Sequence, residues 1–413
     1  MALDDRLRDD ASALGPELIR LRRVLHAQPE IGLGLPATQE TVLAELDGLG
    51  LEITTGRALS SVTAVLRGGR RGPAVLLRGD MDALPVTEAT GLEYASAVDG
   101  AMHACGHDLH TAMLVGAARL LAAHRAELPG DVVFMFQPGE EGWDGAGLMV
   151  AEGVLEAAGR PVAAAYGMHV LSSMIPRSMF ATRPGPLMAA SDGMTVVVRG
   201  EGGHGSAPHR SRDPITAAAE MVTALQTLVT RRFDVFDPVV VTVGTLHAGT
   251  KRNIIPDDAR FEATIRSFSR EAHDRIKEEA PALCRQLGAA FGLDVDVDYT
   301  DEYPLTRNDP DHAAFAAGVV AEIFGTERCH ELADPITGSE DFSRVLDEVP
   351  GCYLFLGAHV GDRPDGPDNH SPRAAFDDSV IADGVLLHAQ LALRALRRAE
   401  AAVPAQQAAD PVS

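Results

Sequence analysis

The sequence predicts an α/β protein: a mostly parallel sheet covered by helices, interrupted by a smaller inserted α+β domain. Three observations predict it. Apolar runs of strand length alternate with longer stretches of helical spacing over roughly the first 185 residues, the rhythm of a sheet covered on both faces. From about residue 187 the rhythm becomes strand, helix, strand, strand, helix, strand. Clusters of acids and histidines also follow directly on three of the early apolar runs, where an open parallel sheet gathers its ligands.

Taken in order, residues 12–29 and 37–50 carry apolar positions at helical spacing, the first ending at Pro29 and the second in a turn with Gly48 and Gly50. Strand-like runs follow at 61–66, 74–77, 131–136 and 163–168, with a helix over 109–128 between the second and third. In the inserted region, strands are predicted at 191–199, 239–246, 259–268 and 293–299, and helices at 214–231 and 271–291. That order is the one of a ferredoxin-like two-layer unit. A helix at 311–324, a strand at 351–356 and a helix at 378–400 then return to the first domain. The expected division is therefore 1–186 with 302–413, and 187–301 as the insertion. The tail beyond Val403, rich in Ala, Gln and Pro, is expected to be mobile.

Composition bounds the function. With 413 residues, 46% hydrophobic and 23% charged, the chain is long enough for two domains and has the balance of a globular enzyme. A formal charge of −23 repels phosphate backbones and anionic membrane surfaces, so neither nucleic acid nor membrane is an expected partner. The N-terminal MALDDRLRDD leads into no long apolar run, and a cytoplasmic location is expected. Four scattered cysteines, Cys105, Cys284, Cys329 and Cys352, do not make a disulfide framework and are expected as thiols.

The chemistry sits where the strands end. Run 74–77 leads into Arg78-Gly79-Asp80-Met81-Asp82, run 131–136 into Gln137-Pro138-Gly139-Glu140-Glu141, and run 163–168 into His169. Carboxyl ends of parallel strands converge on one crevice, so these separate clusters are expected to form one site. The segment His103-Ala104-Cys105-Gly106-His107-Asp108 adds imidazole, thiol and carboxylate donors within six residues, and in an extended segment Cys105 and His107 share a face. Near the C-terminus, Asp368-Asn369-His370-Ser371-Pro372 brings another histidine. Asp108, at the opening of a helix, reads equally as an N-terminal cap.

These residues lie in motifs that resemble a known family. RGDMDALPV, MHACGHD, FQPGEEG, GMH, GGHGSAPH, RNIIPD, TGSEDF and NHSP occur in order from about residue 20 to 385, nearly the whole chain. Together they are similar to the di-metal aminoacylase and carboxypeptidase superfamily, in the branch of hippurate hydrolases, N-acyl-amino-acid amidohydrolases and indole-3-acetyl-amino-acid hydrolases. The resemblance implies a zinc-peptidase-like catalytic domain with a ferredoxin-like lid or dimerisation domain. It implies two divalent ions per subunit, zinc, manganese, nickel or cobalt, held by Cys105, His107, Glu141, His169 and His370, with the thiolate as bridge. Glu140 is implied as general base and Asp82 as the carboxylate that orients a ligating imidazole. Asp80 stands where the wider superfamily often has a ligand histidine, and its role is left open.

In the insertion, the resemblance gives His204 the tetrahedral oxyanion, reached by domain closure or from a dimer partner, with His209 as a neighbour in the same turn. Asn253 and Arg266 are implied to bind the substrate carboxylate, which suits a guanidinium fork, and Gly338 to offer backbone contacts. The expected reaction is hydrolysis of the amide of N-acyl-L-amino acids with acetyl, benzoyl or arylacetyl groups, by a homodimer. A carboxypeptidase or dipeptidase acting on short peptides is the alternative, and from another class a metal- or conjugate-binding protein without catalysis. A nucleotide-binding dehydrogenase lacks its glycine-rich fingerprint after an early strand, and a serine hydrolase its nucleophile elbow.

Overall fold

A computed structural model describes residues 3–361 and 364–407. The chain divides into two compact units: Met1–Gly185 with Arg307–Ala333 and Arg344–Ser413, and Pro186–Thr306 with Asp334–Ser343.

The first unit is built on an eight-stranded sheet whose centre is parallel. Asp131–Gln137, Ala74–Asp80, Ala164–Leu171 and Gly351–Gly357 lie side by side in that order and in parallel. Three of the four are buried along their whole length, and Ala164–Leu171 up to its last residue, as strands covered on both faces must be. The edges depart from the expected parallel pattern. Val62–Leu66 is antiparallel to Asp131–Gln137 and to the edge strand Glu52–Thr55, while Phe180–Thr182 runs antiparallel to Gly351–Gly357 and parallel to Cys329–Glu331. The sheet is therefore mixed. Glu52–Thr55 is exposed throughout and Phe180–Thr182 is three residues long, so neither gives the apolar run by which a strand is read from sequence.

Helices Leu3–Ala27, His107–Ala123 and Ile381–Gln407 pack on this sheet and on one another. The first starts well before the predicted residue 12, because Leu7, Ala11, Leu18, Leu21 and Leu25 continue one buried stripe. Pro36 opens Pro36–Leu46 at a position where its fixed φ and missing N–H are harmless. Residues 378–401 are long and apolar enough to cross a membrane by length and composition, but most of them are buried among the other helices of the unit. Helix continues past Val403 to Gln407, and the rest of the tail expected to be mobile lies outside the described residues.

In the second unit, the strands Val239–Ala248, Asp258–Ser267, Ala190–Arg199 and Asp294–Tyr303 form one antiparallel sheet in that order, so that the first and third in sequence lie at its centre. Burial alternates strictly along Asp258–Arg266, and the buried residues share a core with helices Pro214–Arg232 and Arg270–Ala290. Asp213 and Ser269 cap those helices with their side chains. The expected division needs correction at two places: the second unit runs on to Thr306 rather than ending at residue 301, and a later segment joins it. Asp334–Ser343, expected in the first domain, groups with the second unit: Ile336 and Gly338 carbonyls both accept the Ala189 amide, and Glu340 accepts from Thr306 Oγ1. Nothing in residues 334–343 reads as strand or helix, so sequence periodicity had no hold on them.

Candidate metal centre and active site

Side chains from several segments of the first unit meet at the carboxyl end of its parallel strands. Asp80 ends Ala74–Asp80, and Asp82 follows two residues later. Gln137 ends its strand, and Pro138-Gly139 turn the chain so that Glu140 and Glu141 face in; Gly139 and Gly142 take φ of 74° and 86°, the left-handed region that glycine enters without steric cost. His169 lies inside Ala164–Leu171, which runs three residues beyond the predicted end. Gly106, at φ 84°, precedes the helix His107–Ala123, and a Cβ there would come within 2.4 Å of Val170 Cγ2. Only glycine lets Cys105 and His107 turn so closely against the His169 strand.

Cys105 Sγ is the meeting point. It lies 3.3 Å from His169 Nε2 and 3.2 Å from His370 Nε2, and His370 Nε2 lies 3.2 Å from Glu141 Oε1. Donor atoms of Cys105, His107 and His169 fall within 4.8 Å of one another, and so do those of Cys105, Glu141 and His370. The thiol thus belongs to two sets of three. Glu140 adjoins both, with its carboxylate 4.0 Å from His107 Nε2. His370 itself takes φ 71°, with its amide bonded to the Ala104 carbonyl at 2.9 Å.

A further buried group, Asp80, His107 and His110, has the donor types of a metal site but is already bonded. His110 Nδ1 donates to Asp80 at 2.5 Å and its Nε2 accepts the Val170 amide at 2.8 Å, which leaves no lone pair. Asp80 is also held by Arg78 at 2.6 Å, and Arg78 reaches Gln137 and Tyr353. Asp80 is thus a member of a buried polar frame beneath the site.

Asp82 does more than the sequence indicated. Its Oδ1 is 3.5 Å from His107 Nδ1, and its two oxygens accept the amides of Glu140 and Glu141, each at 3.0 Å. Asp108 is corrected: the N-cap of its helix is Gly106, and no side chain caps it. Asp108 is instead bonded in the interior by Arg22 at 2.7 Å and His26 at 2.8 Å.

The electrostatics separate the three imidazoles. Burial would lower His107, yet Asp80, Asp82 and the Cys105 thiol hold it well above the usual histidine range. Burial and the neighbouring His110 and His107 rings push His169 well below it. Hydrogen bonds from the His370 imidazolium to Cys105 and Glu141 raise its pKa to about 10. His169 Nδ1 donates to the Val170 carbonyl at 2.8 Å, which leaves Nε2 as the lone-pair atom facing Cys105.

The second unit joins two of its expected residues. His204 pairs with Ile254 in a short antiparallel ladder, and the Gly205 amide bonds to the Asn253 carbonyl at 2.9 Å. The Ser206 amide donates to His204 Nδ1 at 3.1 Å, so in the neutral ring the proton sits on Nε2. His209 lies in the following turn, Pro208–Arg210. Arg266 donates to Thr264 Oγ1 and the Ile265 carbonyl from one nitrogen, Nη1. Partial burial lowers its pKa against Glu302 and Asp192, which raise it. The Gly338 carbonyl shares the Ala189 amide with the Ile336 carbonyl, both at 3.0 Å.

Sequence reading missed Arg22, His26, Arg78, His110 and Tyr353. Their only signal is burial of charged and polar groups, which appears once the chain is folded.

The chain is similar to known proteins along most of its length. Residues 76–394 match the pattern of peptidase family M20/M25/M40. The chain is 37% identical to thermostable carboxypeptidase 2 of Saccharolobus solfataricus over 95% of this chain and 99% of that one. It is 35% identical to N-acetylcysteine deacetylase of Bacillus subtilis, over 92% and 97%. Among solved structures, the Bacillus subtilis YXEP protein, described as a dinuclear metal-binding peptidase of the M20 family, superposes with a TM-score of 0.80 at 32% identity, covering 94% and 99%. With a matching pattern across most of its length and relatives aligned nearly end to end, this chain belongs to peptidase family M20/M25/M40.

Proposed function

We propose that the protein is a metal-dependent amidohydrolase that cuts the amide bond of N-acyl-L-amino acids, releasing the carboxylic acid and the free amino acid. The observation that carries this reading is the single thiol shared by two sets of three donors, with Glu140 beside them. The residues fit two divalent ions. Neither ring nitrogen of the buried His107 makes a hydrogen bond, and His169 turns the lone pair of its Nε2 toward Cys105 Sγ. Thiolate, imidazole and carboxylate donors suit zinc, manganese, nickel or cobalt. Cys105, His107, Glu141, His169 and His370 would hold the pair, Cys105 belonging to both sets of donors.

Such ions would supply Lewis acidity, polarising the scissile carbonyl and lowering the pKa of a water. The rest falls to the protein. Glu140 takes the proton of the attacking water and returns it to the leaving amine nitrogen. Asp82 holds both Glu140 and Glu141 by their amides, so the base and its neighbouring ligand keep their spacing. His204, whose Ser206 contact leaves the proton on Nε2, donates to the developing oxyanion. Arg266 has one nitrogen engaged and the other side of its fork left for the substrate carboxylate, with Asn253 as second donor and Gly338 as a backbone contact.

The deacetylase relative supports acyl amides, and the carboxypeptidase relative favours the second reading, short peptides cut by the same groups. A homodimer and a cytoplasmic location complete the proposal. The test is turnover of N-acetyl-methionine, hippurate, indole-3-acetyl-alanine and an unblocked dipeptide by protein stripped with chelator and resupplied with zinc, manganese, nickel or cobalt. Metal-restored release of amino acid from the acylated substrates supports amide hydrolysis, preference for the dipeptide moves the reading to a peptidase, and inactivity with metal bound sinks both.

A further inference from the structure

Asn369, the residue before His370, has hydrogen-bond partners at both ends of its side-chain amide. Its Oδ1 accepts the backbone amide of Ser172 at 2.9 Å and lies 2.9 Å from the Ser172 hydroxyl, whose single proton is shared with the Pro367 carbonyl, also at 2.9 Å. Its Nδ2 donates to the Val170 carbonyl at 3.0 Å and the Cys105 carbonyl at 3.2 Å, with Cys105 Sγ 3.7 Å away. Both N–H bonds of the amide are engaged, and its oxygen holds a backbone N–H. The orientation is forced, because a backbone N–H faces one end and carbonyls face the other.

These partners belong to the segments that carry the proposed ligands. Cys105 is itself one, Val170 follows His169, and Asn369 precedes His370, whose own amide is tied to Ala104. The Val170 peptide is fixed from both sides. Its N–H is held by His110, and its carbonyl takes both His169 Nδ1 and Asn369 Nδ2. Aspartate, nearly the same in shape, would face two carbonyl oxygens and a thiol with an anion and could donate to none of them.

We propose that Asn369 is a positioning residue: its amide crosslinks the Cys105, His169 and His370 segments and holds their donor atoms at the spacing that grips the metal pair. This rests on the dinuclear reading above.

The test uses the full chain as wild type, Asn369→Asp and Ser172→Ala, with zinc affinity read by competition against a chromophoric chelator and the cobalt-thiolate absorption band read on cobalt-loaded protein. Circular dichroism and the thermal unfolding of chelated samples check the fold. Wild type that takes up no metal sinks the dinuclear reading itself. With wild type binding two ions, Asn369→Asp is expected to lose affinity on the order of 10–100-fold, the range for groups that orient ligands. Its thiolate band should weaken while the chelated protein unfolds near the wild-type temperature. Ser172→Ala should fall in the same direction by less. Wild-type affinity and an unchanged band in Asn369→Asp overturn the inference, and if that variant does not fold, unchanged affinity in Ser172→Ala overturns it.

Discussion

The carboxylate of Asp82 lies 3.0 Å from the backbone nitrogen of Glu140, and its second oxygen lies equally close to that of Glu141. One side chain therefore sets the path of the loop that carries both the proposed base and a proposed ligand. Asp82→Asn turns an N–H toward one of those amides. The variant is expected to lose on the order of 10–100-fold in kcat/KM, as supporting groups at metal sites do. Steady-state kinetics with metal in excess measure it, and a loss confined to KM would contradict the role.

Glu140→Gln keeps the shape of the base and removes its proton affinity. General base catalysis contributes ~10²–10⁴-fold, so kcat should fall by that order while elemental analysis still finds bound metal. Full turnover in a metal-replete variant would remove Glu140 from the mechanism.

Cys105→Ser exchanges the shared thiol for a hydroxyl that is rarely ionised and is a harder donor. Metal retention during dialysis should drop, and activity should return at raised free metal. Unaltered retention would mean that the thiol is not shared between two ions.

His26 links the first helix to Asp108 and Glu88 inside the first unit. Burial would lower it, but Asp108 above all raises it to about 9, while Glu88 is lowered to about 2. A histidine whose folded pKa is raised contributes its full stability below its unfolded value of ~6.5 and loses it as pH climbs through the folded value. The difference in Tm between wild type and His26→Gln should therefore be constant below about pH 6.5 and shrink toward pH 9. A difference that stays level across that range would show His26 to be neutral in the fold.

Local patterns made much of this protein legible. Apolar runs at 74–77, 131–136 and 163–168 announced buried parallel strands, because a strand covered on both faces must be apolar throughout. Acids and histidines just beyond those runs announced the site, since parallel strand ends converge. Glu140, Glu141 and His169 stood at those ends, while the ligand set Cys105, His107, Glu141, His169 and His370 came from the family resemblance of the motifs that hold them.

Tertiary structure alone decided what lies behind those donors. Glu52–Thr55 and Cys329–Glu331 became strands by pairing at a sheet edge, with no periodicity of their own. Asp108 opens its helix like a cap, yet Arg22 and His26, more than 80 residues earlier, take it into the interior. His110 and Asn369 are ordinary polar residues in sequence, and their hydrogen bonds to Val170 exist only because segments 60 and 199 residues away fold against it. Periodicity and turn chemistry act over a few residues and leave their mark in the sequence; a buried hydrogen bond needs its partner brought from elsewhere in the chain, and only the folded packing supplies it.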